Sequence, residues 1–322
     1  MILHIVMLVG GLVLILLGAN FLTDGASSVA KRWGVSELVI GLTIVAFGTS
    51  APELAISVLS SLQGNAELAV GNVVGSNIFN ILVIVGVSAL VFPLKVGRGI
   101  MLNEVPLVIL SCIALLICAN GPFLDGSGHS VLSRTDGLLF LLFFAIFMRY
   151  TFSIAKNTGA QAGVNAEPVK ELPVWRSALY ILGGLGALIW GGDVFVEGAS
   201  SLARSLGVSD AVIGLTIVAA GTSVPDLAAS VVAAVKHRPD MAVGNVIGSC
   251  VFNVFLVLGT SAAIRPLPMG TISNFDFLSL LCASAVFWLF GWFFRQRTIT
   301  RFEGGIMVAA YVGYIVAILI RS

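Results

Sequence analysis

Long apolar stretches follow one another along this chain, separated by short polar gaps and interrupted mainly by Gly, Ser and Thr. Runs of 17 to 22 residues recur. Wound as a helix, each is long enough to cross ~30 Å of hydrocarbon. The pattern predicts ten spans, near residues 2–22, 37–62, 68–91, 101–119, 136–155, 174–196, 210–235, 241–264, 275–294 and 303–320. The fifth is the least distinct, because Arg149 enters near its end. The first lacks a basic leading segment and a small-residue cleavage site, and Gly18–Ser28 aligns with the internal stretch Gly191–Ser201. It therefore reads as a mature helix and not as a secretory signal.

Composition turns this pattern into a class. Of 322 residues, 58% are hydrophobic and 10% charged, and the mean hydropathy is +1.05, which excludes a soluble domain. Cys112, Cys118, Cys250 and Cys282 all lie inside predicted spans without a CxxC pair, so they read as packing residues, neither disulfides nor zinc ligands. A net charge of +1 with no basic cluster gives no sign of nucleic-acid binding. No nucleotide-binding loop is present, so direct use of ATP is not expected. If ten spans alternate with both termini outside, thirteen Lys and Arg fall in inward loops and four outside, a clear positive-inside bias.

One block is written twice. Residues 41–55 read GLTIVAFGTSAPELA and 214–228 read GLTIVAAGTSVPDLA. They continue as GNVVGSNIFN from Gly71 and GNVIGSCVFN from Gly244. Equivalent residues stand 173 positions apart, and residues 18–94 hold 39 identities in 77 ungapped positions. Five spans per copy is an odd number, so the second copy must enter the membrane from the opposite side. The expected architecture is an all-α integral membrane protein of ten helices in two inverted five-helix repeats. Residues 1–155 form the first, with its motif at 41–80, and 174–322 the second, with its motif at 214–253. Residues 156–173, carrying Gly159, Gly163, Pro168 and Pro173, read as a short cytoplasmic connector, and no soluble regulatory module is expected.

The repeated block carries the chemistry. Pro52 lacks an N–H, so the carbonyl of Gly48 loses its helical donor, and the same holds for Pro225 and Gly221. The second and seventh helices should break near mid-membrane, where irregular backbone is tolerated if it lines a cavity. The third and eighth helices are expected to be discontinuous as well, at their glycines. Thr49, Glu53 and Ser57 recur every four residues, as do Thr222, Asp226 and Ser230. Asn72, Ser76 and Asn80 form another such row, repeated by Asn245, Ser249 and Asn253. Rows at that spacing lie along one helix face. Together they offer carboxylate, hydroxyl and amide oxygens without imidazole or thiolate, the ligand set of hard cations such as calcium and sodium.

Plainer roles compete. Ser50-x-x-Glu53 and Ser223-x-x-Asp226 also fit a helix cap with proline at its start, but an acid at mid-membrane costs several kcal/mol, so capping alone is a poor reason to keep one. Gly71-x-x-x-Gly75 and Gly244-x-x-x-Gly248 suit close helix packing. Asn72 and Asn245 fit interhelical hydrogen bonding or ligation equally, whereas Ser57 and Ser230 read as packing residues. Asp24, Glu197, Glu104, Asp136, Asp276 and Glu303 fall near span ends, where solvated or capping roles are expected. Asp193 has Asn20 as its counterpart, which argues against a strict need for charge there. His4, His129 and His237 have no partners at ligand spacing.

These residues resemble the cation/calcium exchanger superfamily, specifically its compact bacterial sodium/calcium exchangers. GTSAPE and GTSVPD are similar to the centres of that family's two repeats, and GNVVGSNIFN and GNVIGSCVFN to their second motifs. The resemblance implies that helices 2, 3, 7 and 8 enclose a midplane ion site, with helices 1 and 6 a long tilted pair that slides across them. It implies ligands at Thr49, Ser50, Glu53, Ser76 and Asn80 and at Thr222, Ser223, Asp226, Ser249 and Asn253, with backbone carbonyls at Ala46 and Ala219. This chain has Asp226 where relatives often carry Glu, Asn253 where some carry Asp, and Cys250 opposite Asn77. The neutral Asn253 suggests independence from potassium. The expected protein is thus a sodium-driven calcium antiporter in the inner membrane. It is not an enzyme, needs no cofactor and has no evident protein partner. A proton-driven calcium exchanger is the nearest rival. A calcium-permeable channel and an intramembrane hydrolase using the two acids are the more distant ones.

Overall fold

The computed structural model describes residues 2–121, 124, 126, 130–157, 171–207, 219–293 and 297–321. The helices are α1 (Ile2–Trp33), α2 (Glu37–Thr49), α3 (Ala51–Gln63), α4 (Ala66–Val91), α5 (Ile100–Ala119) and α6 (Arg134–Asn157). After them come α7 (Val174–Ser205), α8 (Ala219–Gly221), α9 (Val224–Val235), α10 (Pro239–Ile264), α11 (Asn274–Phe293) and α12 (Arg301–Arg321). Among the described residues, eight helices are long and apolar enough to cross a membrane, or nine if the bent pair α2–α3 counts as one span. The first third of the predicted seventh span, at 210–218, and most of the predicted connector, at 158–170, lie outside the described residues.

Burial sorts the helices into a centre and a rim. In α10 and α4, 94% and 78% of the most apolar window is buried, against 17% in α6 and α12. The residues exposed on the rim are large and apolar, such as Leu142, Ile146, Val312 and Ile320, as a surface facing lipid requires. The centre holds the polar residues Glu53, Asp226, Asn77, Asn80, Asn253, Ser76 and Ser249, all at most 1% exposed.

α1 and α7 differ from the predicted spans 2–22 and 174–196, because each runs on as a single helix of 32 residues. Thr23, Ser27 and Ser28 look like the end of an apolar run, but they are buried against the bundle and so do not end the helix. At 1.5 Å per residue such a helix is about 48 Å long, which exceeds the hydrocarbon and is accommodated by tilt. The two pack antiparallel on glycines spaced seven apart: Gly11 faces Gly191 and Gly18 faces Gly184, while Gly25 packs on Ser177 and Ile181 and Gly198 on His4 and Leu8. A Cβ on Gly18 would stand 2.8 Å from the Gly184 carbonyl oxygen, and one on Gly198 2.7 Å from the Leu8 nitrogen. The contact is backbone on backbone, which only glycine permits.

α2 and α3 meet at Ser50 with a bend of 46°, where the proline predicts it. The expected breaks in the third and eighth spans are absent: α4 and α10 run unbroken. No proline removes an N–H there, and glycine alone leaves the hydrogen-bond ladder intact. Both helices instead contain a π-helical turn, at Asn80–Ile84 and Phe252–Leu258, which inserts a residue and re-aims the side chains around Asn80 and Asn253. Two short antiparallel strand pairs, unforeseen from the sequence, join distant loops. β1 (Leu94–Lys95) pairs with β4 (Thr298–Ile299), and β2 (Val131–Leu132) pairs with β3 (Leu267–Pro268).

Candidate cation site

The site is assembled at the two helix starts that follow the Gly-Thr-Ser segments. Ser50 leaves helical geometry (φ −85°, ψ 2°), and its N–H donates to the carbonyl of Ala46 at 2.9 Å. Ser223 has nearly the same backbone (φ −90°, ψ 2°). Glu53 and Asp226 therefore sit in the first turns of α3 and α9, at the positive ends of those helices. Both carboxylates are fully buried.

Each acid is reached from both copies of the block. Glu53 Oε1 accepts hydrogen bonds from Ser76 Oγ at 3.5 Å and from Ser223 Oγ at 3.3 Å. Asp226 Oδ1 accepts from Ser249 Oγ at 2.9 Å and Asn245 Nδ2 at 3.4 Å, and Oδ2 accepts from Asn80 Nδ2 at 3.2 Å. Asn253 Nδ2 donates to Asn77 Oδ1 at 3.0 Å, and Asn77 Nδ2 to the Cys250 carbonyl at 3.1 Å. Four oxygens in this cluster are buried without a hydrogen-bond partner: Glu53 Oε2, Asn80 Oδ1, Asn253 Oδ1 and Ser50 Oγ. Leaving such groups unsatisfied is unfavourable by ~1–3 kcal/mol each, more when charged. A hard cation is the species that would satisfy several acceptor oxygens at once. Among the described residues there is no group of three or more His, Cys, Asp and Glu, so the donor set is two carboxylates plus neutral oxygens.

Asn72 and Asn245 take up the brace role. Asn72 Nδ2 donates to Ser57 Oγ at 3.0 Å and to the Glu53 carbonyl at 3.4 Å, while its Oδ1 accepts from Thr222 Oγ1 at 3.5 Å. Asn245 repeats this with Ser230 at 3.0 Å, the Asp226 carbonyl at 3.3 Å and Thr49 Oγ1 at 3.2 Å. Ser57 and Ser230, read from the sequence as packing residues, are thus hydrogen-bonded to these amides. Gly244 and Gly248 pack closely, since a Cβ would meet the Leu38 carbonyl oxygen at 2.8 Å and Ala46 Cβ at 2.6 Å. The equivalent partners of Gly71 and Gly75 fall at 211–219, most of it outside the described residues. The Ala46 carbonyl accepts from Ser50 N at 2.9 Å, and Ala219 opens the short helix α8.

Asn77, noted from the sequence only as the counterpart of Cys250, joins the cluster through its contact with Asn253. It lies off the four-residue rows, and its counterpart Cys250 cannot bridge two groups as an amide does. The acids near span ends behave mostly as expected. Asp136, Asp276 and Glu303 accept from the backbone N–H groups of Ser133, Ser273 and Thr300 at 2.8, 2.9 and 2.9 Å. Asp24 pairs with Lys236 at 2.7 Å. Glu104 is buried, not solvated, and accepts from Tyr150 Oη at 2.8 Å. His129 lies outside the described residues.

Comparison with known proteins places this arrangement. The family model described as sodium/calcium exchanger protein matches residues 3–153 and 176–320. The putative antiporter CaxA of Alkalimonas amylolytica is 36% identical over 311 residues, covering 94% of this chain and 95% of that protein. The inner membrane protein YrbG of Escherichia coli is 34% identical over 306 residues, covering 91% and 90%. Sodium/calcium exchanger MaX1 of Methanosarcina acetivorans is 33% identical over 341 residues, covering 96% of each. A structure of the sodium-calcium exchanger NCX_Mj, soaked with 2.5 mM Na+ and 0.1 mM Ca2+, superposes with a TM-score of 0.81 at 31% identity over 98% of each chain.

Proposed function

The chain belongs to the sodium/calcium exchanger family, and we propose that it is a secondary-active antiporter that exports calcium in exchange for sodium by alternating access. The family is one of transporters and not of enzymes, and the protein is a multi-pass membrane protein. One observation carries the reading: two buried carboxylates share a cluster with four buried oxygens that have no hydrogen-bond partner. Two negative charges match one calcium ion. With neutral oxygens they also hold sodium ions, and occupancy by one or the other, never both, is the physical basis of exchange.

The ligands assigned are Thr49, Ser50, Glu53, Ser76 and Asn80 with the Ala46 carbonyl, and Thr222, Ser223, Asp226, Ser249 and Asn253 with the Ala219 carbonyl. Ten spans in two inverted halves, 1–155 and 174–322 joined by a cytoplasmic connector, are supported by the equivalent hydrogen bonds around Asn72 and Asn245. Both termini lie outside the cytoplasm, as the positive-inside bias supports. Calcium uptake into oriented vesicles, with sodium, potassium and proton gradients imposed separately, tests the assignment. Flux should follow the sodium gradient and survive a protonophore; flux that follows only the pH gradient sinks the sodium coupling.

A further inference from the structure

A second polar feature lies outside the cluster just described. A cavity of about 370 Å³ opens between α7 and the starts of α3 and α9. Its walls include Asp193, Glu197, Ser200 and Arg204 of α7 together with Thr222 and Pro225. The four α7 residues follow one another at intervals of four, three and four, so they form a single stripe on that helix. Asp193 and Glu197 are exposed to the cavity, and neither has an ion-pair partner among the described residues. Ser200 is only 5% exposed, yet its Oγ has no hydrogen-bond partner. The cavity reaches Thr222, so it borders the cation cluster directly. At about 30 Å³ per water it has room for a cation with its six to eight first-shell oxygens.

The other end of the bundle is built differently. Gly198 packs on Leu8 near the start of α1, so the cavity opens at the end where α1 begins. At the opposite end, the positions equivalent to Asp193 and Glu197 are Asn20 and Asp24. There Lys236 Nζ donates to Asp24 Oδ1 at 2.7 Å and to the Asn20 carbonyl at 3.1 Å. The residue equivalent to Lys236 is Gln63, so no lysine faces the two acids of the cavity; the cation on their stripe is Arg204, seven residues beyond Glu197, and it is engaged in an interaction of its own. At one face the acid is ion-paired, and at the other Asp193 and Glu197 have no ion-pair partner among the described residues.

We propose that Asp193, Glu197 and Ser200 form a recruitment site for a hydrated divalent cation, which holds the ion in the cavity above Thr222 before it enters the transport site. This rests on the exchange reading for its role in transport, but the binding it predicts stands alone. The direct test is calorimetric titration of the purified protein with calcium in a Glu53→Gln/Asp226→Asn background. That background should retain one weak site, in the range of about 0.1–1 mM typical of sparse oxygen cages. Adding Asp193→Asn and Glu197→Gln should abolish it, and the charge-preserving swap Asp193→Glu/Glu197→Asp should restore it. No residual site, or one indifferent to both residues, overturns the proposal. In the otherwise wild-type chain, Asp193→Asn/Glu197→Gln should raise half-saturation by calcium about tenfold when calcium is presented at the face carrying the N-terminus, equivalent to ~1.4 kcal/mol. Calcium presented at the other face should show no change. Equal shifts at both faces would also overturn the proposal, whereas a wild-type protein that moves no calcium while the weak site titrates would overturn only the exchange reading.

Discussion

Glu53 and Asp226 hold the same place in the duplicated block, and their surroundings are unequal. Asp226 receives hydrogen bonds on both oxygens, from Ser249, Asn245 and Asn80. Glu53 receives two, at 3.5 and 3.3 Å, on a single oxygen, and its Oε2 has none. The shorter acid is pinned by amides that also brace the helices. The longer acid, with one more methylene and one uncommitted oxygen, keeps freedom to wrap a cation. Duplication supplied the charge twice and differentiated its use: one carboxylate frames the site, and the other is available to close on the ion.

That contrast can be broken most directly at Glu53. Glu53→Gln should lower vesicle calcium uptake by about two to three orders of magnitude, since removing one member of a buried charged set is worth ~3–5 kcal/mol. Asp226→Asn should lower uptake less, by about one to two orders, because Asp226 frames the site with both oxygens already hydrogen-bonded, and the uncommitted oxygen that closes on the ion stays on Glu53. If the two variants were equally impaired, the inequality would be one of geometry without consequence. The exchange of lengths sharpens the comparison: Asp226→Glu should change calcium half-saturation by less than Glu53→Asp, which withdraws the free oxygen. The smallest effect is expected for Ser249→Ala, which removes one donor to Asp226 and should shift half-saturation about two- to tenfold. Measured on the same vesicles, a larger effect than Asp226→Asn would show that the serine and not the acid organises that half.

Most of the architecture was legible from apolar run length. The predicted edges of α4, α5, α10 and α11 fall within two residues of the observed ones. Proline-borne breaks were legible for the same reason, because a missing N–H acts locally. What failed depended on neighbours. Thr23, Ser27 and Ser28 read as a helix end only until a partner helix covers them. The π turns at Asn80 and Phe252 carry no residue signature, since an inserted residue changes register without changing composition. In the site, the four-residue rows brought Thr49, Glu53, Ser76, Asn80 and their counterparts into one cluster, yet they could not say which amide braces and which faces the ion. The asymmetry of Asn77 against Cys250 was legible, but not what Asn77 does, because its role lies in a contact with Asn253, which is 176 positions away.

The glycine seam between α1 and α7 sets an unusual rule for how this chain tolerates variation. Every residue other than glycine adds at least a Cβ, and at Gly11, Gly18, Gly184 and Gly198 that atom would land under 3 Å from the opposing backbone. Alanine, the mildest exchange elsewhere, is there a wedge. On the lipid-facing rim, Leu, Ile and Val are interchangeable with little consequence. Drift is therefore permitted where the protein meets the membrane, and it runs in one direction only, towards separation, where its two longest helices meet.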